Sequence, residues 1–136
     1  MSEDPVSPRE ACLVLNGLPL MGPITLHRLL DHFNGDPLQV IQASRRELEK
    51  VSRVGPAVAA SIVSWKTHFN LQRELDNLDK TGAQFVVGED DFYPELLKEI
   101  HDPPIGLYWL GEYKIDCPCV AIVGTRAATR YGLEVA

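Results

Sequence analysis

A glycine, a threonine and an arginine directly follow an apolar run near the end of the sequence. The run, residues 120–123, is bounded by Pro118 and Gly124 and is typical of a strand buried on both faces. Rossmann-like folds build an anion site from a strand, a glycine turn and a helix, because the helix start presents free N–H groups. An arginine at such a start suits a phosphate that is held rather than processed. The predicted phosphate ligands are Gly124, Thr125, Arg126 and, one helical turn later, Thr129.

The remaining chemistry-bearing residues do not indicate catalysis or metal binding. Cys117 and Cys119 stand two positions apart, but the sequence has no second Cys or His pair at zinc-ligand spacing. The carboxylates at 89–91 are typical of a solvated turn, and Cys12 of a small core residue. No Ser-His-Asp or Cys-His arrangement is discernible, and no carboxylate falls within residues 124–132. We therefore expect no enzyme activity, no catalytic residues, no metal and no cofactor.

The charge of the chain limits how it can bind nucleic acid. The net charge is −6: residues 1–80 hold nine Lys/Arg against ten Asp/Glu, and residues 81–136 hold four against nine. Any DNA contact must then be local, made by a few arginines and backbone N–H groups. No apolar run approaches the roughly 20 residues that cross a membrane, and the acidic N-terminus does not read as a signal peptide. We expect a cytoplasmic protein that does not contact a membrane.

Helical patterns fill the first 80 residues. Ser7 and Pro8 have the types expected at a helix start, Ser44 and Glu47 form a capping-box pattern, and residues 34–37 are a stop signal. We predict helices over residues 8–15, 23–33, 45–51, 56–68 and 69–80. The predicted core residues are Leu18, Met21, Ile24, Leu29, Val51, Val54, Ile62 and Trp65.

The helical half contains a repeat at an offset of 33 residues. Residues 21–29 align with residues 54–62: each copy is an apolar residue, Gly-Pro and then a helix. This pattern is typical of two helices joined by a tight turn. It resembles the helix-hairpin-helix and SAM-like domains of DNA repair proteins, and the resemblance implies that Gly22 and Gly55 lie at turns facing the phosphate backbone.

The two turns depart from the helix-hairpin-helix pattern at one position. The family's turn carries two glycines, and here Leu20 and Arg53 replace the first of them. We expect these side chains to hinder a phosphate, so that residues 1–80 alone bind DNA weakly or not at all. A small helical bundle that packs or binds protein remains the alternative for this half.

Strand patterns appear in the second half. We predict strands over residues 83–87, 107–110 and 120–123, with a helix over residues 93–100. Strands that alternate with helices favour an α/β domain with a parallel sheet.

Three phrases of this half resemble the DprA/Smf family in order and spacing: residues 93–104, 107–111 and 120–132. An N-terminal region like helix-hairpin-helix is the family's usual companion, so the resemblance covers essentially the whole chain. It implies that Gly124, Thr125 and Arg126 lie in a DNA-phosphate pocket. It also implies a homodimeric protein that binds and protects single-stranded DNA and helps load the RecA recombinase during DNA uptake and natural transformation.

The predicted fold class is helical followed by α/β. Residues 1–80 form the helical SAM-like or helix-hairpin-helix domain, and residues 81–136 form the first part of a Rossmann-like domain. Such a sheet needs further strands, so we expect an N-terminal fragment or a truncated gene product with unpaired strand edges. Two other functions stay open: a protein-interaction module without DNA binding, and a nucleotide-binding Rossmann-like enzyme.

Overall fold

A computed structural model describes residues 5–112 and 117–136 of the chain. Helices fill the first part of this description and two short strands follow, so the fold is mixed α and β. The helices are α1 (Pro8–Gly17), α2 (Pro23–His32), α3 (Pro37–Gln42), α4 (Arg45–Leu48), α5 (Pro56–Val63), α6 (Trp65–His68), α7 (Leu71–Thr81), α8 (Glu95–Lys98) and α9 (Arg130–Val135). The strands are β1 (Gln84–Val87) and β2 (Gly106–Trp109). Within the described ranges, no helix has the length and apolar character needed to span a bilayer.

Side-chain caps fix two of the helix starts. Ser7 accepts a hydrogen bond from the backbone N–H of Glu10, and the Glu10 carboxylate accepts from the Ser7 N–H at 2.7 Å. Ser44 and Glu47 form the same reciprocal pair, with the second bond at 2.8 Å. Each pair satisfies two N–H groups that a helix start leaves without partners. Both predicted starts are confirmed.

The helical half differs from its prediction in two elements, besides shifts of up to three residues at helix ends. The predictions missed α3, which begins at Pro37. Asp36 is its N-cap, and the Asp36 carboxylate accepts from the Leu38 N–H at 2.9 Å. The predicted helix over 56–68 is divided at Ser64 into α5 and α6. The Ser64 hydroxyl donates to the carbonyl of Ala60 at 2.7 Å, a local bond by which serine competes with regular helix geometry.

The helices up to residue 81 enclose one apolar core, with α1 packed against α3 and α7. Of the predicted core residues, Met21 and Trp65 are partly buried. The core prediction is wrong for Ile24, which is 45% exposed because its side chain faces outward at the start of α2. The predicted core residues that are buried are Leu18, Leu29, Val51, Val54 and Ile62. The all-helical prediction for this half is confirmed.

The two strands pair antiparallel, in the register Gln84 with Trp109 through Val87 with Gly106. The expected parallel arrangement is therefore wrong for β1 and β2. A parallel pair needs a crossover that returns the chain to the same end of the sheet. Here residues 88–105 join the strands and carry only the four-residue α8 instead of the predicted helix over residues 93–100, which does not make such a crossover. Tyr93 is buried there, and its hydroxyl donates to the carbonyl of Pro104 at 2.6 Å.

The third predicted strand, residues 120–123, is not formed. Val120, Ile122 and Val123 are 91%, 74% and 90% exposed, and residues 118–125 have no regular secondary structure. An apolar run becomes a buried strand only where a neighbouring strand satisfies its backbone groups. The described sheet consists of β1 and β2 alone, so the prediction of a strand buried on both faces is wrong for this structure.

Candidate functional site

The predicted phosphate ligands lie on the exposed segment before α9. Gly124, Thr125, Arg126 and Thr129 are all exposed, and a Cβ placed on Gly124 would meet nothing within 4 Å. The Thr125 hydroxyl donates to the carbonyl of Ala127 at 2.9 Å. Within residues 5–112 and 117–136, no hydrogen bond or ion pair engages the Arg126 side chain. Its guanidinium is therefore an accessible cation.

The helix after the glycine turn begins later than predicted. It starts at Arg130, because Thr129 is its N-cap and accepts from the Gly132 N–H at 3.1 Å. Threonine is favoured as an N-cap, and this one lies three residues after Arg126, which the sequence predicts at the helix start. Arg126 consequently stands before the helix instead of at its first turn, which corrects the predicted local geometry. The assignment of these residues to a phosphate site stays a prediction.

The two turns of the repeat share an uncommon backbone conformation. Leu20 has φ 67° and Arg53 has φ 62°, so both lie in the left-handed region that favours glycine. These are the two positions where the sequence lacks the glycine of the helix-hairpin-helix pattern. The turn geometry is thus kept in both copies despite the substitution, at a cost of about 1–2 kcal/mol for each residue.

The glycines that follow each turn are helix caps. Gly22 precedes α2 and Gly55 precedes α5, each with extended backbone and each followed by proline. Neither helix start has a side-chain cap, and a Cβ on either glycine would meet nothing within 4 Å. Both sites are open to their surroundings, which leaves their role in DNA binding a prediction.

A cleft of about 760 Å³ separates the helical half from the segment that follows β1. Its walls include Cys12 and His27 from the helices and Lys98 from α8. Burial raises the pKa of the Cys12 thiol to about 11, so this thiol is neutral at pH 7. His27 Nε2 lies 2.7 Å from the carbonyl oxygen of Pro103, which ties the far side of the cleft to α2.

An ion pair joins the two sides of the cleft. The Arg9 guanidinium donates through both terminal nitrogens to the Asp90 carboxylate, and it also donates to the carbonyl of Phe85 at 2.9 Å. The Asp90 carboxylate accepts in addition from the Val87 N–H at 2.8 Å. The hydrogen bond from Arg9 holds the pKa of Asp90 below its usual value. Asp90 is thus a structural partner of α1, which the interpretation of residues 89–91 as a solvated turn missed.

Metal-binding residues do not gather in the parts of the chain that the structure covers. There, no three His, Cys, Asp or Glu side chains come together in an arrangement that could hold a metal ion. Cys117 and Cys119 are exposed free thiols, and the Cys119 thiol lies 3.3 Å from the carbonyl of Cys117.

Comparison with known proteins identifies the class of protein. The family described as DNA recombination-mediator protein A matches residues 84–136. Protein Smf of Synechocystis is 34% identical over 118 residues, which cover 82% of this chain and 29% of Smf. The chain belongs to the DprA/Smf family of recombination-mediator proteins, as its sequence predicts. It spans less than a third of the length of Smf.

Part of the chain is also similar to DNA ligases. The ligase of Chlamydia trachomatis serovar L2 is 34% identical over 74 residues, which cover 54% of this chain and 11% of the ligase. The ligase of serovar D shows the same identity over the same length. No solved structure matches the chain.

Proposed function

We propose that this chain is part of a protein that binds and protects single-stranded DNA and helps load a RecA-type recombinase during DNA uptake and natural transformation. The observation that carries the proposal is the match of residues 84–136 to the recombination-mediator family. This segment contains Gly124, Thr125 and Arg126. The proposal assigns the DNA-phosphate contact to these residues.

Arg126 has the properties that such a contact needs. It is exposed and free of partners among the described residues, so no existing ion pair has to break before a phosphate binds. A guanidinium binds a phosphate through two parallel N–H donors. Gly124 leaves open space beside the backbone, and the Thr129 hydroxyl, which accepts from the Gly132 N–H, still has its own proton to donate. The Thr125 hydroxyl donates to a phosphate only after leaving the carbonyl of Ala127. A contact to phosphate alone does not read bases, so binding is indifferent to DNA sequence.

The domain organisation belongs to the same proposal. Residues 1–80 form the helical domain, and residues 81–136 begin a Rossmann-like domain whose remaining strands and homodimer contact belong to the whole protein. Gly82, with φ 68°, ends α7 in the left-handed conformation and turns the chain toward β1. In this proposal the protein holds DNA without a catalytic step, a cofactor or a metal.

The test compares two neighbouring arginines in the whole protein. Arg126→Ala removes the free cation, whereas Arg130→Ala removes one that pairs with Glu134 at 3.1 Å. We expect Arg126→Ala to weaken binding of a single-stranded oligonucleotide by roughly 10- to 150-fold, the worth of one charge-assisted contact. The slope of log affinity against log salt falls by about 0.7, the share of one phosphate. Arg126→Lys recovers part of the loss, since lysine lacks the fork.

The matched control decides what the result means. Arg130→Ala is expected to keep near-normal affinity, and circular dichroism checks that each variant is folded. Unchanged affinity and salt slope in folded Arg126→Ala would remove this residue from the site. Absence of DNA binding by the unmodified protein at low salt would instead favour a protein-interaction module.

A further inference from the structure

The two copies of the repeated hairpin have different surface chemistry. Residues 12–20, which lead into the first turn, contain no charged residue. The aligned residues 45–53 contain four basic and two acidic residues. In a chain with a net charge of −6, this second stretch carries a local charge of +2, four minus two. The repeat therefore keeps its left-handed turn and changes its charge.

Both acidic residues of this stretch are already engaged. The Glu47 carboxylate accepts from the N–H of Ser44 at 2.8 Å and from its hydroxyl at 2.6 Å. Glu49 pairs with Arg45 at 2.8 Å. Three cations form no ion pair within the described ranges 5–112 and 117–136, although the Glu47 carboxylate keeps its charge and attracts Lys50. We call them the cationic turn: Arg46, Lys50 and Arg53.

The cationic turn faces away from the core. Leu48 and Val51, which alternate with these cations, are buried, whereas all three cations are exposed. Helical winding continues past α4, since the N–H of Lys50 bonds the carbonyl of Glu47 at 3.2 Å. Arg46 and Lys50, four positions apart on this winding, lie on one side of it, and Arg53 follows at the exposed tip of the turn. The three cations therefore lie within one exposed stretch, residues 46–53.

We infer that the cationic turn contacts the phosphodiester backbone of single-stranded DNA as a second site, separate from Arg126. Several unpaired cations on one small surface attract a polyanion even when the whole chain is acidic, because salt screens distant charges more than near ones. The turn pattern predicts that Arg53 hinders a phosphate, but Arg53 is an exposed cation at the tip of the turn. The apolar first turn, with Leu20 at the equivalent position, lacks this attraction. The inference rests on the proposed binding of single-stranded DNA, and it does not depend on the role of Arg126.

The experiment compares a variant that lacks two cations of the cationic turn with a control variant that lacks two cations of α7. Arg46→Gln/Arg53→Gln changes the cationic turn, and Arg73→Gln/Lys80→Gln on α7 makes the same change in net charge. Binding of a fluorescent oligothymidine to the whole protein is measured by anisotropy across a salt series. We expect the first variant to bind about 2- to 30-fold more weakly, because two exposed cations no longer attract phosphates. Its log–log salt slope falls by about 0.7 for each phosphate that the variant no longer neutralises. The α7 variant stays within about twofold of the unmodified protein.

Further arms separate the sources of the effect. Combining the turn variant with Arg126→Ala is expected to multiply the two losses of affinity, because independent sites add in free energy. Normal affinity of the turn variant alongside weakened binding by Arg126→Ala overturns this inference and leaves the proposed function standing. Weakened binding by the turn variant alone supports the inference and contradicts the role of Arg126. Equally weakened binding by the turn and α7 variants, or an effect confined to duplex DNA, overturns it.

Discussion

The left-handed backbone at Leu20 predicts that glycine is more stabilising than alanine at this position, the reverse of the usual order. Glycine is normally less stabilising than alanine by about 0.5–1 kcal/mol, because it loses more conformational freedom on folding. At φ 67°, a residue with a Cβ instead carries about 1–2 kcal/mol of strain that glycine avoids. Leu20 is 68% exposed, and both replacements remove the same leucine side chain beyond Cβ, so its packing cancels in the comparison. We expect Leu20→Gly to be more stable than Leu20→Ala by about 0.5–1 kcal/mol, the difference of the two effects.

Urea unfolding followed by circular dichroism measures this difference. With a slope of about 2 kcal/mol per molar urea, the midpoint of Leu20→Gly should lie about 0.25–0.5 M above that of Leu20→Ala. Val63 provides the control, since it is an exposed apolar residue within α5 and has no left-handed backbone. There, Val63→Gly should be less stable than Val63→Ala by about 1 kcal/mol. If alanine were more stabilising than glycine at Leu20 as well as at Val63, the strain at the turn would be refuted.

Two further predictions concern the contacts around the strands. Asp90→Asn should lower the free energy of unfolding by about 1–2 kcal/mol at pH 7, since Asp90 bonds both Arg9 and a backbone N–H. Because folding lowers the pKa of Asp90, its stabilisation is present above the usual value of 3.8 and is lost as pH falls through the folded value. Urea titrations at several pH values measure the free energies of unfolding of the unmodified protein and of Asp90→Asn. A difference between these free energies that persists unchanged at still lower pH would contradict this prediction. Gly106→Ala should destabilise by about 1–3 kcal/mol, because a Cβ there overlaps the Phe85 ring. Gly88→Ala, where a Cβ meets nothing within 4 Å, should change stability by less than about 0.5 kcal/mol in the same assay.

The sequence predicted those features that neighbouring residues determine. The starts of α1 and α4 follow from the caps at Ser7 and Ser44, and each cap acts within three residues of itself. The positions of β1 and β2 also follow from local patterns, within about one residue of the predicted strands. Their antiparallel pairing depends on how the chain between them returns, and the apolar pattern within each strand carries no such information.

The candidate site was predictable in its residue types and not in its geometry. Arg126 is identifiable from its place after a glycine, but the start of α9 depends on which of two threonines acts as the cap. The bond between Arg9 and Asp90 joins residues 81 positions apart, and no periodicity indicates such a pair. The cationic turn is present in the sequence, but its significance depends on Glu47 and Glu49 being engaged elsewhere.

The hydrogen bonds of Arg9 to Asp90 and Phe85 affect where this chain can be truncated. Ile105, from the segment before β2, is buried in the core of the helical half, and His27 is hydrogen-bonded to the carbonyl of Pro103, two residues earlier. A chain that ends at residue 80 would leave a hole in that core and an unmatched arginine on α1. We expect the helices to be less stable without residues 84–109 than with them. The change from helical to strand pattern near residue 80 is thus a boundary that several contacts cross.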